Sequence, residues 1–285
     1  MSTRRPRRER PKCSGRLTAR DIELLATVGK LRVATTRQLA ALYFGDPSTA
    51  SRRLAVLLGM GLVSVTVQDL SRPNAYVLSR KGQEELIRAG IDPEDLFVAR
   101  IDRRTALDHV VALGDLHVAL TLELADRGVT AVALSFDHEI RRLLGPGGTP
   151  LVPDLFVACR AADDVTRAVA FEIDMAEESA GYFGRTKGDA SRTLLTAKVP
   201  FFGAQVWRPV VVAPSAARLR HLGRELVAAG VGTFWFGTTF EALNTEGVLG
   251  AAYLSADELG ALGRGQAFVP TRSLADELGL GDGTP

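Results

Sequence analysis

The spacing of apolar residues changes character near residue 129. Before it they recur every three or four positions: Ile22, Leu25 and Val28 early on, then Val110, Leu113, Leu116, Leu120 and Leu124. That spacing lines one face of a helix. Beyond it the apolar stretches shorten to strand length, as in "VTAVALSF", "LVPDLFVAC", "RAVAFEIDM", "FFGAQVWRPVVVAP" and "GTFWFGTT". Helix-like segments, "EESAGYFGRTKGDASRTLLTAK" and "SAARLRHLGRELVAAG", are interleaved with them. A helical front and a strand-rich back predict an α+β chain whose second part is a mixed sheet with helices packed on it. At 285 residues there is room for two compact domains. The expected division is a disordered basic arm over 1–16, a helical domain over 17–95, a connector over 96–108, an α/β domain over 109–240 and a partly disordered extension over 241–285.

Within the front domain, Thr18 followed by Asp21 reads as a helix N-cap, and Gly29 as an end. Thr35 or Thr36 opens a second short helix with Leu39, Leu42 and Tyr43 on its apolar face. "GDPS" breaks it, and Ser48 or Thr49 opens a third, whose core stripe is Leu54, Leu57 and Leu58. "LVSVTV" and "AYVLS" then read as two strands around the polar turn "QDLSRPN", and "RKGQEELIRAG" as a closing helix. Three helices followed by a hairpin is the order of a winged helix-turn-helix, in which the third helix projects into a major groove. Thr49, Ser51, Arg52 and Arg53 fall largely off the core stripe of that helix, so they are the expected contacts to guanine edges or phosphates. Arg37 is placed to grip the backbone and Arg72, at the hairpin tip, to reach an adjacent groove. Double-stranded DNA is the expected partner, and a homodimer the expected assembly, although no heptad marks an interface.

Charge supports that polarity. Residues 1–100 hold 18 Lys and Arg against 10 Asp and Glu, whereas the remainder holds 17 against 23. A basic front half suits a polyanion. Cys13 and Cys159 are too few and too far apart for a disulfide framework or a cysteine zinc site, and fit a reducing cytoplasm. No apolar run approaches membrane-spanning length, and no apolar stretch follows the N-terminal charges as a secretory signal requires. His109 and His117 stand eight apart, two helical turns rather than the one turn of a metal pair, and read as interior polar residues.

In the back half, "VPDLFVACRAADDVTRAVAFEIDM" sets Asp154, Glu172 and Asp174 at the edges of two strands. Residues two apart on a strand share a face, so Glu172 and Asp174 point the same way. If the strands pair with their ends in register, three hard-oxygen donors meet at one edge, a set suited to Mg2+ or Mn2+. Lys187, in the following helix, is the expected cation beside such a site. The bland alternative is that strand ends carry acids because the chain emerges into water there.

Pro153-Asp154 followed by Glu172-x-Asp174 resembles the PD-(D/E)xK nuclease signature, with Asp174 where that motif carries lysine. Some members move the lysine into the next helix, and the resemblance gives that place to Lys187. The wider pattern, "LTARDIELL", "TTRQLAALYF", "ASRRLAVLLGMGLV", "AYVLSRKGQEEL", "LDHVVALGDLHVAL", "VPDLFV" and "FEID", resembles the replication-relaxation family of plasmids and mobile elements over about residues 17–215. The resemblance implies a winged helix ahead of a nuclease-like domain, Glu139 near the acidic edge, and control of replication or transfer through DNA binding. Replication or transfer proteins are the further partners it implies. Two functions follow as expectations: a DNA-binding regulator, or a metal-dependent endonuclease or nicking enzyme that the winged helix targets.

Overall fold

The computed structural model describes residues 16–67, 74–96, 104–144, 151–197, 201–232, 234–264 and 266–280. Residues 1–15 of the expected basic arm, and Arg72, lie outside the described residues. The chain divides into two compact units, residues 1–114 and 115–285.

In the first unit, helix α1 (Ala19–Leu31) opens with a reciprocal cap. Thr18 Oγ1 accepts from the Asp21 N–H, and Asp21 Oδ2 accepts from the Thr18 N–H at 2.7 Å. After strand β1 (Ala34–Thr35), helix α2 (Thr36–Tyr43) repeats the device with Thr35 and Gln38. Helix α3 (Pro47–Gly59) starts earlier than Ser48 or Thr49. Asp46 accepts from the N–H groups of both, and Pro47 takes the first helical position, where no N–H is needed. Strands β2 (Val63–Val67) and β3 (Ala75–Leu78) pair antiparallel, and β1 lies on the other side of β3. Helix α4 (Arg80–Arg88) follows, capped by Ser79. The apolar stripes converge in a core of Leu24, Leu25, Val28, Leu39, Leu54, Leu57, Leu78 and Leu86, all fully or almost fully buried. A single 3-10 turn, Pro93–Asp95, follows α4 just ahead of the expected connector.

The division between units falls within helix α5 (Arg104–Asp126). Its early residues Leu107, Val110 and Val111 pack with Val33, Ala75 and Val77 of the first unit. The second unit is built on a five-stranded mixed sheet of β4 (Ala133–Phe136), β5 (Leu155–Arg160), β6 (Thr166–Ile173), β7 (Val206–Ala213) and β8 (Phe236–Thr239). The strands lie in chain order; β4, β5 and β6 are antiparallel, and β6, β7 and β8 parallel. Helix α6 (Asp137–Leu144) follows β4. Helix α7 (Ala180–Phe183), a π turn (Gly184–Gly188) and helix α8 (Asp189–Ala197) lie between β6 and β7, and helix α9 (Ala216–Ala228) crosses from β7 to β8.

Apolar side chains of the sheet pack against the neighbouring helices and loops. Phe156, Ala158, Ala168 and Ala170 pack with Ile140, Ala190 and Phe201, and Val211 and Ala213 pack with Leu219, Leu222, Leu226 and Trp235. Helices α10 (Phe240–Glu246), α11 (Ala256–Gly263) and α12 (Leu274–Glu277) occupy the stretch expected to extend from this unit. Residues 241–280 instead fold onto it, burying Leu249, Tyr253, Leu254, Leu259, Leu262 and Leu274. Glu123 of α5 fastens the segment by accepting from the Val248 and Leu249 N–H groups, each at 2.7 Å. Among the described residues no helix is long and apolar enough to cross a membrane.

Candidate functional site

Helix α3 has two distinct faces. Ala50, Leu54 and Leu57 are buried, while Ser48, Ser51, Arg52 and Ala55 are exposed at helical spacing. Arg52 donates to Thr49 Oγ1 at 3.2 Å and otherwise faces outward. Arg37, on α2, is exposed too. Arg53 is not: its Nε donates to Asp21 Oδ1 at 2.6 Å, and its terminal nitrogen pairs with the other oxygen of the same carboxylate. The Asp21 side chain is 2% exposed and that of Arg53 25%. Burial pushes the Asp21 carboxyl up, but hydrogen bonds from Arg53 and Thr18 outweigh it and hold it below its ordinary value. Arg53 is thus a fastening between α3 and α1, while Arg52 remains presented.

In the second unit the register brings acids together. Phe136 pairs with Leu155, and Leu155 with Phe171. One step further along, Asp137, Asp154 and Glu172 fall in a row across β4, β5 and β6. Backbone bonds confirm the alignment, from Asp137 N–H to Asp154 O at 3.2 Å and from Asp154 N–H to Phe171 O at 3.0 Å. Glu172 is buried, and its Oε1 accepts from Lys187 Nζ at 2.7 Å. The π turn makes this contact, presenting Lys187 over the sheet. Burial, then the Asp154 charge and more weakly that of Asp137, push the Glu172 carboxyl up to about 8 against the pull of Lys187. Burial works against the Lys187 charge, yet the Glu172 and Asp154 carboxylates outweigh it and hold that ammonium above its ordinary value.

Asp154 and Asp174 differ in their partners. Asp154 Oδ2 accepts from the Ile173 N–H at 2.8 Å, tying β5 to β6. Asp174 is gripped by both Nε and a terminal nitrogen of Arg218 on α9, each at 2.7 Å, and it also accepts from the Ala176 N–H. Arg218 in turn donates to the Glu178 carbonyl at 2.7 Å. Glu139 turns back to accept from the Phe136 N–H at 2.7 Å. His117 is buried and stacks on Phe136, with His138 stacked on the same ring. Asp137 was not among the sequence candidates; its only signal was an acid directly after the strand-like run "ALSF".

Among the described residues no three His, Cys, Asp or Glu side chains are arranged to hold a metal ion. The donors suit magnesium or manganese only as a two-carboxylate set, Asp154 and Glu172, with Asp174 committed to Arg218. Magnesium is commonly bound by one or two carboxylates, with water and substrate phosphate supplying the rest.

No curated protein and no solved structure matches the chain. A family model described as Replication-relaxation matches residues 25–188, a span that includes Arg52, Asp154, Glu172 and Lys187. Since the match covers more than half of its length, the chain belongs to the replication-relaxation family.

Proposed function

We propose that the chain is a DNA-binding protein of a plasmid or mobile element, acting in its replication or transfer by gripping duplex DNA through α3 of a winged helix. The observation that carries this reading is the exposed face of α3. Ser48, Ser51, Arg52 and Ala55 are small apart from one arginine, so the helix can lie close to base edges while Arg52 reaches a guanine or a phosphate. Arg37 supplies a backbone contact, and the basic surplus of residues 1–100 supplies long-range attraction. The test is duplex binding across a salt series. Arg52→Ala is expected to weaken affinity about tenfold and flatten the salt dependence by about one unit of slope. Unchanged affinity and slope would remove α3 as the reader.

The Glu172–Lys187 contact beside Asp154 favours a second reading, a divalent-metal-dependent nuclease. Asp154 and Glu172 would hold Mg2+ or Mn2+, and the ion would supply Lewis-acid activation of water and neutralise charge at a phosphate. Lys187 fixes the Glu172 carboxylate and brings positive charge to the row. Nicking of supercoiled plasmid with either metal, lost in Asp154→Asn and Glu172→Gln, is the expected result. Plasmid that stays intact while still being bound removes this reading.

A further inference from the structure

Arg52 is held from within its own helix. One of its terminal nitrogens donates to Thr49 Oγ1 at 3.2 Å. The Thr49 hydroxyl hydrogen goes the other way, to Asp46 Oδ2 at 2.7 Å. The same carboxylate oxygen accepts from the Thr49 N–H and the Ser48 hydroxyl, each at 2.8 Å. Asp46, Thr49 and Arg52 follow one another at intervals of three residues, so they run along one edge of α3. Asp46 and Arg52 are exposed and Thr49 is half-buried. Hydrogen bonds from Thr49 and Ser48 hold the Asp46 carboxyl well below its ordinary value, so it is ionised throughout the neutral range.

This chain of bonds fixes a long exposed side chain before any partner arrives, which lowers the entropy lost on binding. A guanidinium has five N–H donors and Thr49 takes one, so an edge with two parallel donors is still presented. In the major groove only guanine offers two acceptors, O6 and N7, side by side to match such an edge. A phosphate matches it too, and charge decides between them. The two bonds through Thr49 put the Asp46 carboxylate within about 6 Å of the guanidinium, inside the screening length of about 8 Å at physiological salt. A phosphate on Arg52 would meet that negative charge, whereas the uncharged guanine edge would not. The Ser48 and Thr49 amides, which a helix start would otherwise offer to an anion, are already taken by Asp46.

We propose that Asp46 and Thr49 aim Arg52 at a guanine edge, which makes Thr49 a positioning residue and Arg52 a reader of G·C pairs rather than a phosphate contact. This rests on the reading of α3 as the DNA-contacting helix. The salt slope expected for Arg52→Ala does not separate the two contacts, because a cation lodged in the groove also displaces counterions. The test therefore uses the full chain and two short labelled duplexes made only of G·C pairs, one with 7-deazaguanine in place of every guanine. The analogue lacks N7 and keeps every phosphate, so at fixed salt the duplexes differ in base edges alone. Wild type is expected to bind the guanine duplex about threefold to tenfold more tightly. That preference should vanish in Arg52→Ala. It should fall below about twofold in Thr49→Val, which removes the hydroxyl at nearly constant shape, and return in Thr49→Ser. A wild type without the preference, or Thr49→Val that keeps it in full, overturns the proposal. If Arg52→Ala nevertheless weakens binding to both duplexes, the α3 reading survives that result. Wild-type affinity of Arg52→Ala for both duplexes removes the α3 reading and the proposal with it.

Discussion

A helix turns about 100° per residue, so the neighbours Arg52 and Arg53 leave α3 in different directions. Arg53 meets the buried Asp21 and Arg52 meets water. Removing Arg53 leaves a desolvated carboxylate without its main partner, so Arg53→Ala is expected to cost about 2 to 3 kcal/mol in urea unfolding. Arg52→Ala should stay within about 0.5 kcal/mol of wild type. Equal unfolding midpoints would show the Arg53 fastening to be idle. Asp21 titrates lower in the fold than its ordinary 3.8, so its contribution is complete above that value and is lost as pH falls through the lowered one. Glu172 has the opposite sign. Its carboxyl is raised from 4.5 to about 8 by burial and by Asp154 and Asp137, with Lys187 opposing. The stability it contributes is complete below about 4.5 and is lost as pH rises through about 8. Melting curves of Glu172→Gln between pH 5 and 9 should therefore be flatter than those of wild type, and parallel curves would contradict this. These residue roles were unevenly legible. The alternation of "FEID" put Glu172 and Asp174 on one face, but nothing local revealed that Arg218, 44 residues on, takes Asp174. Asp137 was hidden because its place depends on the β4–β5 register, which no sequence pattern specifies.

Elements were legible where capping chemistry is unambiguous. Thr18 with Asp21 and Thr35 with Gln38 mark starts that the structure reproduces. At α3 three capping residues compete within four positions, and Pro47 decides for Asp46 because it can only sit at the first turn. The strands β2, β3, β5 and β6 stood out by their apolar alternation or length. The π turn did not, since its sequence "GRTKG" has no periodicity and its two glycines mark a break without specifying a π turn, yet it is what presents Lys187. Packing between elements is equally silent in sequence. A Cβ on Gly82 would lie 2.2 Å from the Leu62 carbonyl oxygen and 2.8 Å from Leu78 Cδ1. Alanine suits a helix better than glycine by about 1 kcal/mol. Here the backbone oxygen cannot yield, so α4 would have to lift from β2. Gly82→Ala is expected to destabilise the first unit by about 1 to 3 kcal/mol in chemical denaturation. A gain in stability would show that α4 has room to move.

For the whole molecule, charge is divided between a basic front and an acidic back: 18 cationic against 10 acidic side chains in residues 1–100, and 17 against 23 beyond. Charge and periodicity made the helical front and the mixed sheet readable, but not where the second unit ends. Residues 241–280 carry scattered leucines among glycines, a pattern that looks like loop. Their burial arises from long-range partners: the Gly237 and Leu254 backbones pair, Arg208 Nε reaches Glu277 at 3.3 Å, and Glu123 caps Val248 and Leu249. Leu249, Tyr253, Leu254, Leu259, Leu262 and Leu274 are at most 1% exposed. At about 1.5 to 3 kcal/mol for each buried side chain, losing them forfeits on the order of 10 kcal/mol, comparable with the entire stability of a domain. Truncation after Phe240 is therefore expected to abolish the cooperative melting of the second unit and its near-ultraviolet dichroism. The milder Leu274→Ala should cost about 2 to 5 kcal/mol through the cavity it leaves. A truncated chain that melts like the intact one would make residues 241–280 an appendage, and Leu274→Ala would then be silent too.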